Sequence, residues 1–350
     1  VKFSTFLFPE AATPELDESV IDETIAEAKL CDRLGFDVIW LAEHHFDGNC
    51  AYVEPVSFAA ALATCTDRAK IGFAVAQMSL HHPIRMAEQM SLIDNITKGR
   101  LIVGLGRGTA YNIYDYQGYD IDPAEAQDRL IEAEDIMVKA WAGGPLDYKG
   151  RFWSVKLPQL RPAPFTRPHP PILRAASGEQ SMVELAREGR PFMMNVQSLD
   201  VTKARLELYQ KSMREAGFDE AHIAECMKEV WVWRNIYVAE TDAEAERVAV
   251  PAFRAMQAQR ASMRDRIAAE QGIRLKVETS GPARTDTSHA LFAGSPASVA
   301  EKIAEIEALG VGGLIIQFRL GPMSWDQTRS SIELFANKVA PGMARRQEAA

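Results

Sequence analysis

Glu43, His44 and His45 stand side by side in the stretch WLAEHHFDG, a carboxylate and two imidazoles within reach of one another. An imidazole suits proton transfer because its ordinary pKa lies near neutral pH. Neighbouring side chains on extended backbone point to opposite sides, so only one of the two histidines can face a given site, and a metal pair built from both is disfavoured. For an isolated histidine the competing expectation is a satisfied structural group in a loop. A second pair, His81 and His82, precedes Pro83; there His82 reads as a helix cap, and neither residue is assigned to catalysis.

A different chemistry is written into GRLIVGLGRGTAY. Gly104, Gly106 and Gly108 leave the backbone open to a ligand, and Arg107 offers a fixed cation for a phosphate. Tight packing would explain the same glycines without any ligand. The dinucleotide fingerprint fails, since Thr109 stands where its last glycine is needed and the following helix is expected only near Pro123. Further on, ILRAASGEQSMVELA places Ser177, Gly178 and Ser181 at the start of a helix, where backbone amides and hydroxyls make an anion site, although capping alone accounts for Ser177. Neither HExxH nor a spaced set of His and Asp ligands occurs, so no metal is expected.

These residues need a scaffold that gathers them, and the apolar runs supply one. Eight strands are expected at Phe3–Phe8, Val38–Leu41, Ile71–Ala76, Leu101–Leu105, Pro171–Arg174, Phe192–Asn195, Val230–Val238 and Gly313–Phe318, alternating with stretches of helical period. Such alternation, with strands apolar on both faces, predicts an α/β protein of the (β/α)8 TIM-barrel class, forming a single domain over residues 1–350. Histidine loop, Arg107 and helix start then share the rim at the C-terminal ends of the strands. Insertions are expected after strands four and seven. Residues 143–170 read as a hairpin and a proline-rich segment, and residues 264–294, polar and aperiodic, read as a mobile lid.

Composition sets outer bounds. Of 350 residues, 47% are apolar and 25% charged, which excludes disorder and low-complexity scaffolding. Thirty-nine Lys and Arg against 48 Asp and Glu leave a net charge of −9, so nucleic acid and acidic membranes are not expected partners. The chain lacks a signal-like N-terminus and a bilayer-spanning apolar run, which points to a cytoplasmic protein. Cys31, Cys50, Cys65 and Cys226 are too scattered for a disulfide framework and read as reduced thiols.

VKFSTFLFPE, GFDVIWLAEHHFDG and HHPIRMAEQMSLIDNITKGRLIVGLGRG together resemble the bacterial luciferase-like flavin monooxygenases, closely over about the first 120 residues and more loosely through SGEQS and VGGLIIQF. The resemblance implies reduced FMN delivered by a separate flavin reductase, and oxygen chemistry through a flavin carbon-4a hydroperoxide. It implies that His44 acts as acid or base beside the flavin, with Glu43 and His45 as supporting polar groups. Arg107, Ser177, Gly178 and Ser181 would hold the FMN phosphate, and Ala74, Val75, Ala76, Thr109 and Ala110 would lie along the isoalloxazine ring. A homodimer is implied too, and the Ala- and Met-rich faces before Gly99 would suit it.

The chain departs from light-emitting members at Gly106, where luciferases carry a reactive-side cysteine, in its TAYNIYDY loop, and in residues 264–294. The expected activity is therefore oxygenation of another small, largely apolar organic molecule, since Tyr111, Tyr114, Trp153 and Phe165 furnish aromatic rims without a charged anchor. Two alternatives stand beside it. One is a deazaflavin-dependent oxidoreductase on the same barrel; the other is a catalytically silent flavin-binding homologue.

Overall fold

Short runs rich in Val, Ile, Leu and aromatic residues become parallel strands because only a sheet covered on both sides buries both of their faces. In the computed structural model, which describes residues 1–46, 48, 50–51, 54–109, 112–176, 178–272 and 282–343, these are β1 (Lys2–Leu7), β2 (Val38–Leu41), β3 (Lys70–Phe73), β4 (Ala76–Gln77) and β5 (Leu101–Gly106). An antiparallel hairpin of β6 (Leu146–Lys149) and β7 (Ser154–Leu157) follows. Then come β8 (Ile172–Ala176), β9 (Phe192–Met194), β10 (Trp231–Val238), β11 (Leu291–Gly294) and β12 (Gly313–Gln317). Parallel pairing runs β12, β1, β2, β3, β5, β8, β9, β10 and back to β12, closing an eight-stranded barrel.

Around it lie α1 (Asp17–Leu34), α2 (Pro55–Ala63), α3 (Pro83–Thr97), α4 (Ile113–Gly118), α5 (Ala126–Trp141) and α6 (Glu179–Arg187). They are followed by α7 (Leu199–Glu215), α8 (Glu220–Met227), α9 (Asp242–Gln271), α10 (Thr287–Ala290), α11 (Pro296–Glu307) and α12 (Trp325–Leu334). Inside the barrel Trp40, Trp231, Ile102, Leu173, Met193 and Phe6 fill the interior. Trp40 and Trp231 meet edge to face at 5.2 Å, and the buried indole of Trp40 donates to Ser4 Oγ at 2.8 Å. The barrel is thus a packed core, and only its upper layer can open to ligands.

Four expectations change. Residues 264–294 are not an aperiodic loop: positions 264–271 continue α9, 287–290 form α10, and 291–294 form β11, which pairs in parallel with the outer half of β10; positions 273–281 lie outside the described residues. A helix starts before Pro123, because Ile113–Gly118 already coils as α4. Trp153 packs on the outside against the Arg129 guanidinium of α5, and Phe165 lies against Lys98 and Gly99 at the entry to β5, so neither reaches the mouth. Met86, Ala87 and Met90, expected on a dimer face, are fully buried within the chain; α3 exposes Leu92 and Ile96 instead.

Candidate functional site

The loop leaving β2 carries Glu43, His44 and His45 over the C-terminal rim, and the alternation expected from extended backbone is what separates them. Glu43 and His45 are buried, while His44 is half-buried with its ring edge-on to Phe8 at 5.0 Å. Phe8 continues a line of aromatic rings through Phe6 to Trp233 across the mouth, at 6.0 and 4.6 Å.

Glu43 is the hub of the buried side. Its Oε1 accepts from His45 Nε2 at 2.8 Å and from His81 Nε2 at 2.6 Å, and its Oε2 accepts from the Gln77 amide at 2.6 Å. Burial on its own would raise this carboxyl's pKa, but the bonds from His45 and His81, the His81 charge and the Gln77 amide together outweigh it and hold the pKa at about 2. Burial likewise opposes a proton on His81, yet the bond to Glu43 and its charge raise that imidazole's pKa. Glu43 therefore stays ionised and serves as an anchor. Two imidazoles and a carboxylate could suggest a metal centre, but these separations are direct hydrogen bonds, and no group of three such side chains among the described residues is arranged to hold a metal ion.

Asp115, on α4, extends the network. It accepts from the His45 amide at 3.1 Å, from Gln77 Nε2 at 2.7 Å and from Asn112 Nδ2 at 2.7 Å, and burial pushes its pKa up. Asn112 Nδ2 also approaches His44 Nδ1 at 3.5 Å. Gln77, Asn112 and Asp115 carry no signal in the sequence that would single them out, and His81 is named there without a catalytic role. Only the closed barrel brings β2, the segment after β4 and α4 together, and His81 was set aside because His82 looked like a cap; His82 is the N-cap of α3 but makes no side-chain cap bond.

The phosphate candidates sit on the same rim. Arg107 follows β5 with its side chain exposed, its carbonyl fixed by Ser79 Oγ at 2.8 Å and Tyr116 Oη at 2.5 Å. Gly178 is the N-cap of α6, no side-chain cap bond is made there among the described residues, and a Cβ at Gly178 would meet nothing within 4 Å. Ser181 Oγ donates to the Gly178 carbonyl at 3.0 Å within the same turn. Ala74 and Val75 border the interior layer and are partly buried, and the peptide between them is cis. Ala76 is fully buried among Met78, Met86 and other residues outside the barrel wall. Thr109 is exposed and donates to Asn112 Oδ1. Ser177 and Ala110 lie outside the described residues.

The glycines of β5 resolve in favour of packing. A Cβ at Gly104 would come within 1.5 Å of the Phe73 carbonyl oxygen, and one at Gly106 within 2.4 Å of Val75 Cγ2, so both positions admit the β3 side of the wall and not a ligand.

Across the mouth runs α9, 30 residues or about 45 Å long. Its first half buries Ala245, Ala249, Phe253 and Met256 beside β10 and β11; Pro251 lies inside it. Beyond, Arg260 pairs with Glu10 at 2.8 Å and stands 5.0 Å over the Phe8 ring. At the far end Glu270 accepts from Tyr114 Oη, and Gln271 Oε1 accepts from Gln117 of α4 at 2.7 Å. Arg284 stands 5.7 Å over Trp233.

Residues 1–313 match the family model described as luciferase-like monooxygenase. The chain belongs to that family. Among curated relatives, the luciferase-like chain is 31% identical over 166 residues to limonene 1,2-monooxygenase of Rhodococcus erythropolis, covering 47% of this chain and 42% of that one. It is 28% identical over 254 residues to the oxygenase component of the flavin-dependent trigonelline monooxygenase of Acinetobacter baylyi, covering 70% and 67%. Another match, protein y4wF of Sinorhizobium fredii, is 37% identical over 166 residues, 47% of each chain, so the chain spans under half of the length of some of its curated relatives.

Among solved structures, the monooxygenase RslO1 of Streptomyces bottropensis superposes with a TM-score of 0.81 at 25% identity, covering 98% of this chain and 100% of that one. The fold is shared with the oxygenating constituent of 3,6-diketocamphane monooxygenase from Pseudomonas putida in complex with FMN (TM-score 0.76, 23% identity, 97% and 98% covered). It is also shared with the coenzyme F420 dependent tetrahydromethanopterin reductase of Methanopyrus kandleri (TM-score 0.69, 18% identity, 98% and 99% covered). No helix among the described residues is long and apolar enough to cross a membrane.

Proposed function

We propose that this luciferase-like monooxygenase is the oxygenase component of a two-component system, using reduced FMN from a separate flavin reductase, and O2, to oxygenate a small, largely apolar organic substrate. One observation carries it: a single barrel rim presents the imidazole of His44, the cation of Arg107 and the start of α6 at Gly178. The residues fit the flavin. The backbone amides opening α6, Ser181 and Arg107 would hold its phosphate, while the partly buried Ala74 and Val75 leave a smooth floor for its ring. The bound flavin would supply oxygen activation at its carbon 4a.

His44 would hold or deliver the proton at the reacting edge, and Glu43 and His45 would keep its loop in place. Phe8 and Trp233, partly buried and packed on Phe6 beneath them, would give an apolar surface for the substrate. The outer half of α9, with Arg284, would roof the site against water, the part that residues 264–294 were expected to play as a loop. The trigonelline relative, named as an oxygenase component, supports the reductase partner, and the FMN-bound fold neighbour supports the cofactor. A homodimer is part of the proposal, with exposed Leu92 and Ile96 of α3 available to it.

The test is rapid-mixing absorbance of protein with reduced FMN and oxygen, followed by a substrate panel. Native protein should hold a long-lived oxygen adduct that decays faster with a productive substrate. His44→Ala should lower product formation by about 100-fold or more, the range removed with a general acid or base. Protein that merely speeds the oxidation of free flavin would exclude the oxygenase. Tighter binding of F420 than of FMN would turn the assignment to the deazaflavin alternative, which the F420-dependent fold neighbour keeps in view.

A further inference from the structure

The contacts of Asn112 decide more than its own position. Its side-chain oxygen accepts from the Thr109 hydroxyl, and its nitrogen donates to Asp115 Oδ2 at 2.7 Å and lies 3.5 Å from His44 Nδ1. Turning the amide over would set its oxygen against the Asp115 carboxylate, whose oxygens already face the His45 amide and Gln77 Nε2 as acceptors. The amide is therefore locked with its NH2 toward the imidazole. An NH2 group can only donate, so the ring nitrogen facing it must carry a lone pair.

We propose that Asn112 is a positioning residue that fixes the tautomer of His44, leaving Nδ1 unprotonated and the proton on Nε2. The partner of one ring nitrogen sets the state of the other, and Phe8, packed edge-on at 5.0 Å, opposes rotation of the ring into a different register. The chemical consequence is directional. A neutral His44 held this way offers Nε2–H to the site as a hydrogen-bond donor and presents no lone pair there to take up a proton. Of the roles open to this histidine, hydrogen-bond donation from Nε2 is the one this tautomer serves, and the base role at Nε2 is closed to it.

The proposal rests on His44 being the site's acid–base group for its meaning, but its test needs neither flavin nor substrate. Failure of the oxygenase assignment and failure of the tautomer would thus be seen in separate experiments. Imidazole-labelled protein at mildly alkaline pH would be examined by long-range 1H–15N correlation, which separates Nδ1–H from Nε2–H forms. Seven histidines keep the spectrum sparse, and His44→Gln identifies the relevant signals by their loss.

The native protein should show a protonated Nε2 and an unprotonated Nδ1 at His44. Asn112→Asp, which places an acceptor beside Nδ1, should move the proton onto Nδ1. Asn112→Ala, which removes the donor without adding charge, should let the Nδ1–H form appear. A role limited to holding α4 in place would alter stability without altering this pattern. A native protein carrying Nδ1–H, or folded variants that both keep the native pattern, would overturn the proposal; the native spectrum decides even if a variant does not fold.

Discussion

The two walls of the barrel mouth are built in opposite ways. Over β2 to β5, Glu43, His45, His81, Asn112 and Asp115 interlock, and of the Gln77 side chain only the amide oxygen lacks a partner among the described residues. Over β10 and β12, Trp233 Nε1, Asn235 Oδ1 and Gln317 Oε1 are all buried without a partner among the described residues, although Asn235 and Gln317 stand directly opposite each other in register. An orphaned buried polar atom costs about 1–3 kcal/mol. The first wall fixes its groups before any ligand arrives. The second carries buried hydrogen-bonding capacity that the described residues leave unused.

The contrast can be broken most forcefully at its hub. Glu43→Gln leaves the His81 imidazole without its counter-charge in a buried site, and we expect urea unfolding to show a loss of about 3–5 kcal/mol, the usual cost of removing one partner of a buried pair. A loss below about 1 kcal/mol would mean that the network does not hold the wall. The next test is acid. Glu43 titrates at about 2 in the folded protein against an ordinary 4.5, so the stability it contributes is complete above pH 4.5 and is lost as the pH falls toward 2; a difference of that size is worth about 3 kcal/mol.

His81 has the opposite sign. Its pKa is raised from 6.5, so its contribution is complete below that pH and is lost as the pH climbs through its folded value. Unfolding free energy measured across pH should slope on both sides in native protein and flatten in Glu43→Gln. The smallest effect belongs to the other wall. Gln317→Leu gives up a bond from Nε2 to the Arg319 carbonyl but also removes an orphaned oxygen, and thermal unfolding should place it within about 1 kcal/mol of native. A larger loss would erase the distinction between the walls.

Sequence disclosed the barrel because each of its strands is apolar on both sides, and it disclosed the rim because Glu43–His45, Arg107 and Gly178 each follow such a strand directly. It hid α9, whose inward positions are largely alanine, Ala245, Ala249 and Ala252, and give little contrast against its arginines. It hid β11 because four residues after a polar stretch carry no period. The partners of Glu43 were out of reach for another reason: His81 and Gln77 lie 38 and 34 positions away, and only ring closure makes them neighbours.

The helix that crosses the mouth, α9, is continuous, with a proline about a third of the way along it. Proline deletes a hydrogen bond from the helix interior, and here it lies among the turns sunk beside β10 and β11, which continue past it to Phe253 and Met256 before the far turns cross to Tyr114 and Gln117. A beam held at both ends carries a push at its middle to both supports. A guest lifting Arg260 from Phe8 would thereby pull on the clasp at Tyr114, linking admission at one edge of the opening to release at the other.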